Sequence, residues 1–343
     1  MRRHTLTGNI HCHRQFPSRT LGNRRDILVY LPPGYRRFLR RHYPVLYLQD
    51  GQNLFDAATA FAGVEWGVDE TAQRLIRRKL IEPTIIVAIA NTGPDRIHEY
   101  APTRGVIDSK AKRKKRSRGL ARKYGKFLIQ ELKPFIDSKY RTKPEAEFTG
   151  LGGSSLGGLL VMTLGLWFSN VFSRLAVMSP SVWWDNEVIV RGVLALEKKL
   201  PLRIWLDTGT AEPGWERTRN LCAALVERGW NLHDDLEYHE IEGADHSEAA
   251  WSARVDPMLR FLYPPPAPKP ATHRFELASA VSRQCNAIAN QRDALLRVQD
   301  EQKLIPPKPF TATACRKPGK RVRFRRRNPS LFGKQMNARV ATR

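Results

Sequence analysis

Gly153-Ser154-Ser155-Leu156-Gly157 reads G-x-S-x-G, the spacing that raises a serine on a sharp turn between a strand and a helix. Such a serine exposes its hydroxyl, and the turn tolerates no bulk on either side, which Gly153 and Gly157 satisfy. By composition this pattern arises by chance in about one chain in ten of this length. Its meaning therefore depends on what else the chain carries, and in which order. Acyl transfer from an ester needs a nucleophile, a base, a carboxylate that orients the base, and amides for the oxyanion. Downstream of Ser155 come Asp207 and Glu212, and then His246. Nucleophile, acid, histidine is the order of one hydrolase architecture and not of the chymotrypsin or subtilisin arrangements.

His246 lies in Glu242-Gly243-Ala244-Asp245-His246, after an expected strand and before an expected helix, a position from which it can swing over a sheet edge. His98, His233 and His239 lack that placement, and the alternative for His246 is a surface histidine. Glu212 is the preferred acid because Gly209 opens a loop that reaches out from the sheet, with Asp207, nearer the strand end, as the alternative. Asp245, adjacent to His246, lacks the geometry to accept from its ring. The oxyanion donors are expected at the Leu156 amide and at Gly51-Gln52, with Gln52 the candidate second donor. Trp183 and Trp184, with Gly51, are expected to line the substrate pocket; the competing reading of the tryptophans is a core pair. Arg96, Glu99 and Tyr100 are expected to brace the loop over the site through a structural ion pair.

The elements that must position these residues alternate. Loose alternation over Thr5–Leu31 predicts antiparallel strands, and YPVLYLQ (Tyr43–Gln49) and TIIVAIA (Thr84–Ala90) read as strands buried on both faces. Helices are expected over Val68–Leu80, over Tyr124–Ile136 with Pro134 ending or kinking it, over Trp215–Arg228, and as one unit over Glu248–Leu262. Further strands are expected at Arg174–Met178, Leu202–Leu206 and Asp235–Ile241. This predicts an α/β class fold with a mostly parallel central sheet and helices on both faces.

The chain has 343 residues and is 41% hydrophobic, enough for a substantial core. The organisation expected is a catalytic domain over 1–263, a Pro-rich linker over 264–272, and a basic tail over 273–343, partly helical and then disordered. The formal net charge of +25 is concentrated near the start, in Lys110–Arg118 and in the tail. Runs of this kind are mostly solvated, but the tail could make weak contact with nucleic acid or an anionic surface. Cys12, Cys222, Cys285 and Cys315 are widely spaced, which points to free thiols and to neither a metal site nor a disulfide framework. No apolar run reaches membrane length and no secretory leader is legible, so the expectation is a cytoplasmic enzyme with no cofactor and no metal.

Several segments in one order resemble the putative esterase family of α/β-hydrolases, which includes enterochelin esterases, feruloyl esterases, S-formylglutathione hydrolase and mycolyltransferases. They are YPVLYLQDGQNLFD, RIHEYAP, YGKFLIQELKPFID, GGSSLGGL, SPSVWW and GADHSEAAW. The resemblance covers about Tyr30 to Tyr263 and implies Ser155 as nucleophile, His246 as base, and an acid from the loop after LRIWL. Glu212 stands there where the family often has aspartate, and some members work with a serine–histidine pair. The expected activity is a serine carboxylic-ester hydrolase acting on a small-molecule ester. The alternatives are an acyltransferase using the same residues, and a basic-tailed binding protein with an idle hydrolase-like domain.

Overall fold

A computed structural model describes residues 4–108 and 115–266. Ten strands occur in this part: β1 (Asn9–Ser18), β2 (Asn23–Leu31), β3 (Val45–Gln49), β4 (Ile85–Ile89), β5 (Val106–Asp108), β6 (Lys115–Arg116), β7 (Thr149–Ser154), β8 (Arg174–Met178), β9 (Arg203–Gly209) and β10 (Leu236–Ile241). The helices are α1 (Val68–Arg77), α2 (Arg96–Tyr100), α3 (Ala121–Phe127), α4 (Lys133–Lys139), α5 (Leu156–Trp167), α6 (Val188–Leu194), α7 (Glu216–Glu227), α8 (Glu248–Ser252) and α9 (Val255–Leu262). The tail expected over 273–343, most of the linker, and residues 110–114 of the Lys110–Arg118 run lie outside the described residues.

Eight strands form one sheet in the order β1-β2-β4-β3-β7-β8-β9-β10. β1 and β2 are antiparallel, β2 meets β4 antiparallel, and from β4 through β10 every pairing is parallel. The central strands carry apolar residues at consecutive positions because helices cover both faces: all five residues of β3 and of β4 are buried. One core cluster holds Tyr47, Val87, Leu151 and Val177 with α5 and α7, and the other holds Leu46, Leu48, Ala88 and Met178 with α1 and α9. Alternate residues of the same strands thus serve opposite faces. Fully burying one such side chain contributes about 1.5–3 kcal/mol.

Strand order reverses at β3. The chain goes from β3 outward to β4, then crosses back to β7 on the other side. Two connections diverge there, which opens a crevice beyond the carboxyl ends of β3 and β7. The sequence places Asp50-Gly51-Gln52 at one of those ends and Ser154-Ser155 at the other.

Two helices differ from expectation. The Tyr124 helix does not end at Pro134; a wide π turn over Leu128–Leu132 leads into α4, and the chain stays helical to Lys139. Pro134 falls in the first turn after the π segment, where its missing N–H and fixed φ are tolerated. The expected single helix over Glu248–Leu262 is two, α8 and α9, interrupted at Ala253-Arg254. Pro257, third in α9, has no N–H to return to Ala253, so a continuous ladder cannot form there. The break turns Arg254 into the protein interior, where it is 4% exposed.

Candidate active site

Ser155 stands between β7 and α5 with φ 58° and ψ −122°, a strained conformation for a residue with a side chain, costing on the order of 1–3 kcal/mol. The surrounding glycines explain how the turn closes. A Cβ on Gly153 would lie 3.0 Å from the Gly157 carbonyl carbon, and one on Gly158 would lie 2.9 Å from the Met178 carbonyl oxygen. The bend is pinned on both sides, since the Ser155 amide donates to Met178 O at 3.0 Å and the Ser181 amide donates to Ser155 O at 3.0 Å. Leu156 is the first residue of α5, so its amide has no acceptor within the helix.

His246 Nδ1 lies 2.8 Å from Glu212 Oε2. The other oxygen, Oε1, accepts from the Ser179 hydroxyl at 2.5 Å and from the Gly209 amide at 2.8 Å. Burial would raise the Glu212 pKa, but the bonds from His246, Ser179 and Gly209 outweigh it and hold the carboxyl below its usual value. Glu212 is therefore a carboxylate and can only accept, so the histidine Nδ1 carries the proton and Nε2 is left free. The His246 ring also meets the Trp251 ring edge to face, centroids 4.9 Å apart.

Asp207, the alternative acid, points elsewhere. It is fully buried, pairs with Arg254 Nη1 at 2.7 Å, and accepts from Trp205 Nε1 at 2.6 Å and the Ser179 amide at 3.2 Å. Burial raises its pKa against the opposing effect of Arg254. The reason is register: Asp207 lies inside β9, whereas Gly209 is its last residue and the loop that follows carries Glu212 outward. Ser179 joins the two systems, because its hydroxyl also accepts from Arg254 Nη1 at 2.9 Å and Trp251 Nε1 at 3.0 Å.

Ser155 and His246 line the same two cavities, one of about 470 Å³ and one of about 250 Å³. No hydrogen bond to the Ser155 hydroxyl occurs among the described residues; such bonds commonly tighten only when substrate is present. The larger cavity is bounded by Gln52, Asn91, Arg96, Phe61 and Glu248, and the smaller by Trp183, Trp215, Pro213 and Val182. Gln52 is held at both ends of the residue. Its Oε1 accepts from the Asn91 amide at 3.2 Å, and its carbonyl accepts from Thr59 Oγ1 at 2.7 Å.

Two expected substrate contacts are corrected. Trp184 is fully buried, with Nε1 donating to Thr103 Oγ1 at 3.0 Å and its ring against Gly105, so it packs in the core while its neighbour Trp183 stays 48% exposed. Gly51 lines neither cavity; it is glycine because a Cβ there would lie 2.6 Å from the backbone of Ala88 and Ile89. The brace expected from Arg96, Glu99 and Tyr100 consists of two separate ion pairs. Arg96 holds Asp50 through two bonds of 2.7 Å, Arg25 holds Glu99 at 2.9 and 3.1 Å, and Tyr100 is buried between, under Arg96.

Sequence reasoning missed Ser179, Arg254, Asp50 and Glu248 as site residues. Glu248 accepts from Asn53 Nδ2 at 2.9 Å and from Trp66 Nε1 at the floor of the larger cavity. Asp50, with φ 57°, carried the one legible signal, as an Asp-Gly ending a buried strand. Ser179 and Glu248 fall within SPSVWW and GADHSEAAW, two of the segments that carry the family resemblance, but no local signal gave them a role, and Arg254 lies outside all of those segments.

An eight-stranded, mostly parallel sheet in this order, with a strained serine after β7 and a carboxylate-held histidine after β10, defines an α/β-hydrolase. The chain belongs to the putative esterase family: the family model described as "Putative esterase" matches residues 18–262. It is a carboxylic ester hydrolase. A ferri-bacillibactin esterase, BesA, from Bacillus subtilis is 26% identical over 246 residues, covering 66% of this chain and 81% of that protein. The BES protein from Bacillus cereus superposes with a TM-score of 0.58 at 21% identity, over 75% of this chain and 97% of that one. The enterobactin esterase FES from Shigella flexneri, in the presence of enterobactin, gives 0.60 at 21% identity, over 75% of this chain and 60% of that one. These structural likenesses establish the fold. Among the described residues no helix is long and apolar enough to cross a membrane.

Proposed function

We propose that the enzyme hydrolyses esters through Ser155, His246 and Glu212 by an acyl-enzyme route. Ser155 Oγ attacks the ester carbonyl carbon, and its proton passes to His246 Nε2. The tetrahedral oxyanion is held by the Leu156 amide and the Gln52 amide. Collapse expels the alcohol, which takes the proton from Nε2, and leaves the acyl group on Ser155. Water then repeats the sequence with His246 as base and releases the acid. Glu212, ionised, orients the ring and stabilises the imidazolium that forms twice per turnover.

The observation that carries this reading is the 2.8 Å bond from His246 Nδ1 to Glu212, with Ser155 and His246 facing common cavities. Two cavities that share the reacting serine suit the acyl and alcohol halves of one ester. Trp183 in the smaller one fits an aromatic or broad apolar group. Relatives include a ferri-bacillibactin esterase and a xylanase/feruloyl esterase, so aryl and siderophore-like esters head the substrate panel. An acyltransferase would use the same residues, and product analysis with acceptor alcohols separates the two. The compartment we favour is the cytoplasm, in keeping with the free thiols of Cys12 and Cys222. The experiment is hydrolysis of p-nitrophenyl acetate by wild type and Ser155→Ala; equal rates would remove the proposal.

A further inference from the structure

Away from the active-site cavities, three carboxylates gather where α1 begins. One oxygen each from Glu65, Asp69 and Glu70 lies within 4.8 Å of the others. Asp69 is 0% exposed, and Glu65 Oε2, Asp69 Oδ1 and Glu70 Oε2 are buried oxygens with no hydrogen-bond partner. Among the described residues none of the three forms a salt bridge with a lysine, arginine or histidine. Unpartnered acceptors of like charge repel, and burial magnifies the cost of each. The arrangement calls for a positive group that can be shared.

We propose that Glu65, Asp69 and Glu70 bind one hard divalent cation of the calcium class. Carboxylate oxygens are the ligands such ions take, and calcium accepts an irregular, partly hydrated shell. The neighbouring surface supplies room for the waters: a cavity of about 680 Å³ is lined by Glu65 and Glu70 together with Thr5 and Ser252. The same aspartate fastens the start of the chain, since its Oδ2 accepts from the Thr7 amide at 2.7 Å. A bound ion would thus clamp the segment before β1 to the first turn of α1. The competing occupant is a proton, because burial first, and then the neighbouring Glu70 carboxyl, push the Asp69 carboxyl up to about 8.

The test uses the full chain stripped with chelator. Terbium luminescence excited through tryptophan suits the site because Trp66 lines the same cavity. Calcium should displace terbium from one saturable site per chain, calorimetric titration with calcium chloride should give the same stoichiometry, and Tm should rise with added calcium. The Glu65→Gln/Glu70→Gln double variant should weaken calcium binding at least tenfold and lose the Tm rise, while its far-UV circular dichroism matches wild type. Asp69 is left in place because it also holds Thr7. No saturable binding by the stripped wild type, or undiminished binding by the double variant, would overturn the proposal and leave a shared proton as the occupant.

Discussion

Arg254 donates to Asp207 at 2.7 Å and reaches Ser179 with the same nitrogen at 2.9 Å. With side chains 4% and 0% exposed, the ion pair lies within the protein directly behind the carboxylate that holds His246. Two acids five positions apart in sequence are therefore separated by role. Asp207 is the nearer partner of the buried guanidinium, whose Nη2 lies 3.6 Å from Glu212 Oε1, and Ser179 bonds to both carboxylates.

Glu212→Gln should lower kcat on p-nitrophenyl acetate by about 10³–10⁴, the scale seen when a histidine loses its orienting carboxylate, with the fold retained. Asp207→Asn should act on stability, costing up to about 3–5 kcal/mol, because the buried Arg254 loses its nearer carboxylate and keeps only Glu212 Oε1, 3.6 Å from Nη2. Steady-state kinetics and urea melts on both variants check this. A larger kcat loss in Asp207→Asn than in Glu212→Gln, with an unchanged melt, would reverse the assignment of the acid.

Acid titration should show Glu212 in the stability curve. Its folded pKa is depressed, so it stabilises the fold above its unfolded pKa, and that contribution is lost as pH falls through the folded value. The difference in urea midpoint between wild type and Glu212→Gln should accordingly be largest at neutral pH and shrink as pH falls through the carboxylate range. A difference that stays constant with pH would show that Glu212 is not held below its usual pKa.

Trp183→Ala and Trp184→Ala should part company. Truncating exposed Trp183 should raise KM for aryl esters and leave Tm nearly unchanged. Truncating buried Trp184 should cost about 3–5 kcal/mol. Kinetics on aryl and short alkyl esters, with thermal melts, read both effects.

Gly158→Ala should place a methyl 2.9 Å from Met178 O, where backbone and not a flexible side chain must yield. A stability loss of about 1–3 kcal/mol with a fall in kcat is expected, since Met178 O also holds the Ser155 amide. Unchanged kinetics would mean that the turn tolerates movement.

Much of this molecule was legible from local pattern. Continuous apolar runs at Val45–Gln49 and Ile85–Ile89 identify strands covered on both faces, and glycines around Ser155 identify the turn, because burial and φ/ψ constraints act on neighbouring residues. The order of Ser155, Glu212 and His246 singled them out as candidates, and the structure brings His246 to Glu212 and sets Ser155 and His246 on common cavities. Local pattern preferred Glu212 but left Asp207 open, did not decide which tryptophan stays exposed, and gave no sign that Ser179 and Arg254 stand behind Glu212. Each of those depends on strand register and on where a helix breaks, as at Ala253-Arg254. Adjacent residues such as Trp183 and Trp184 share composition and context, yet one projects into a cavity and the other into the core. Only long-range packing, which brings residues 75 positions apart into contact at Ser179 and Arg254, distinguishes them.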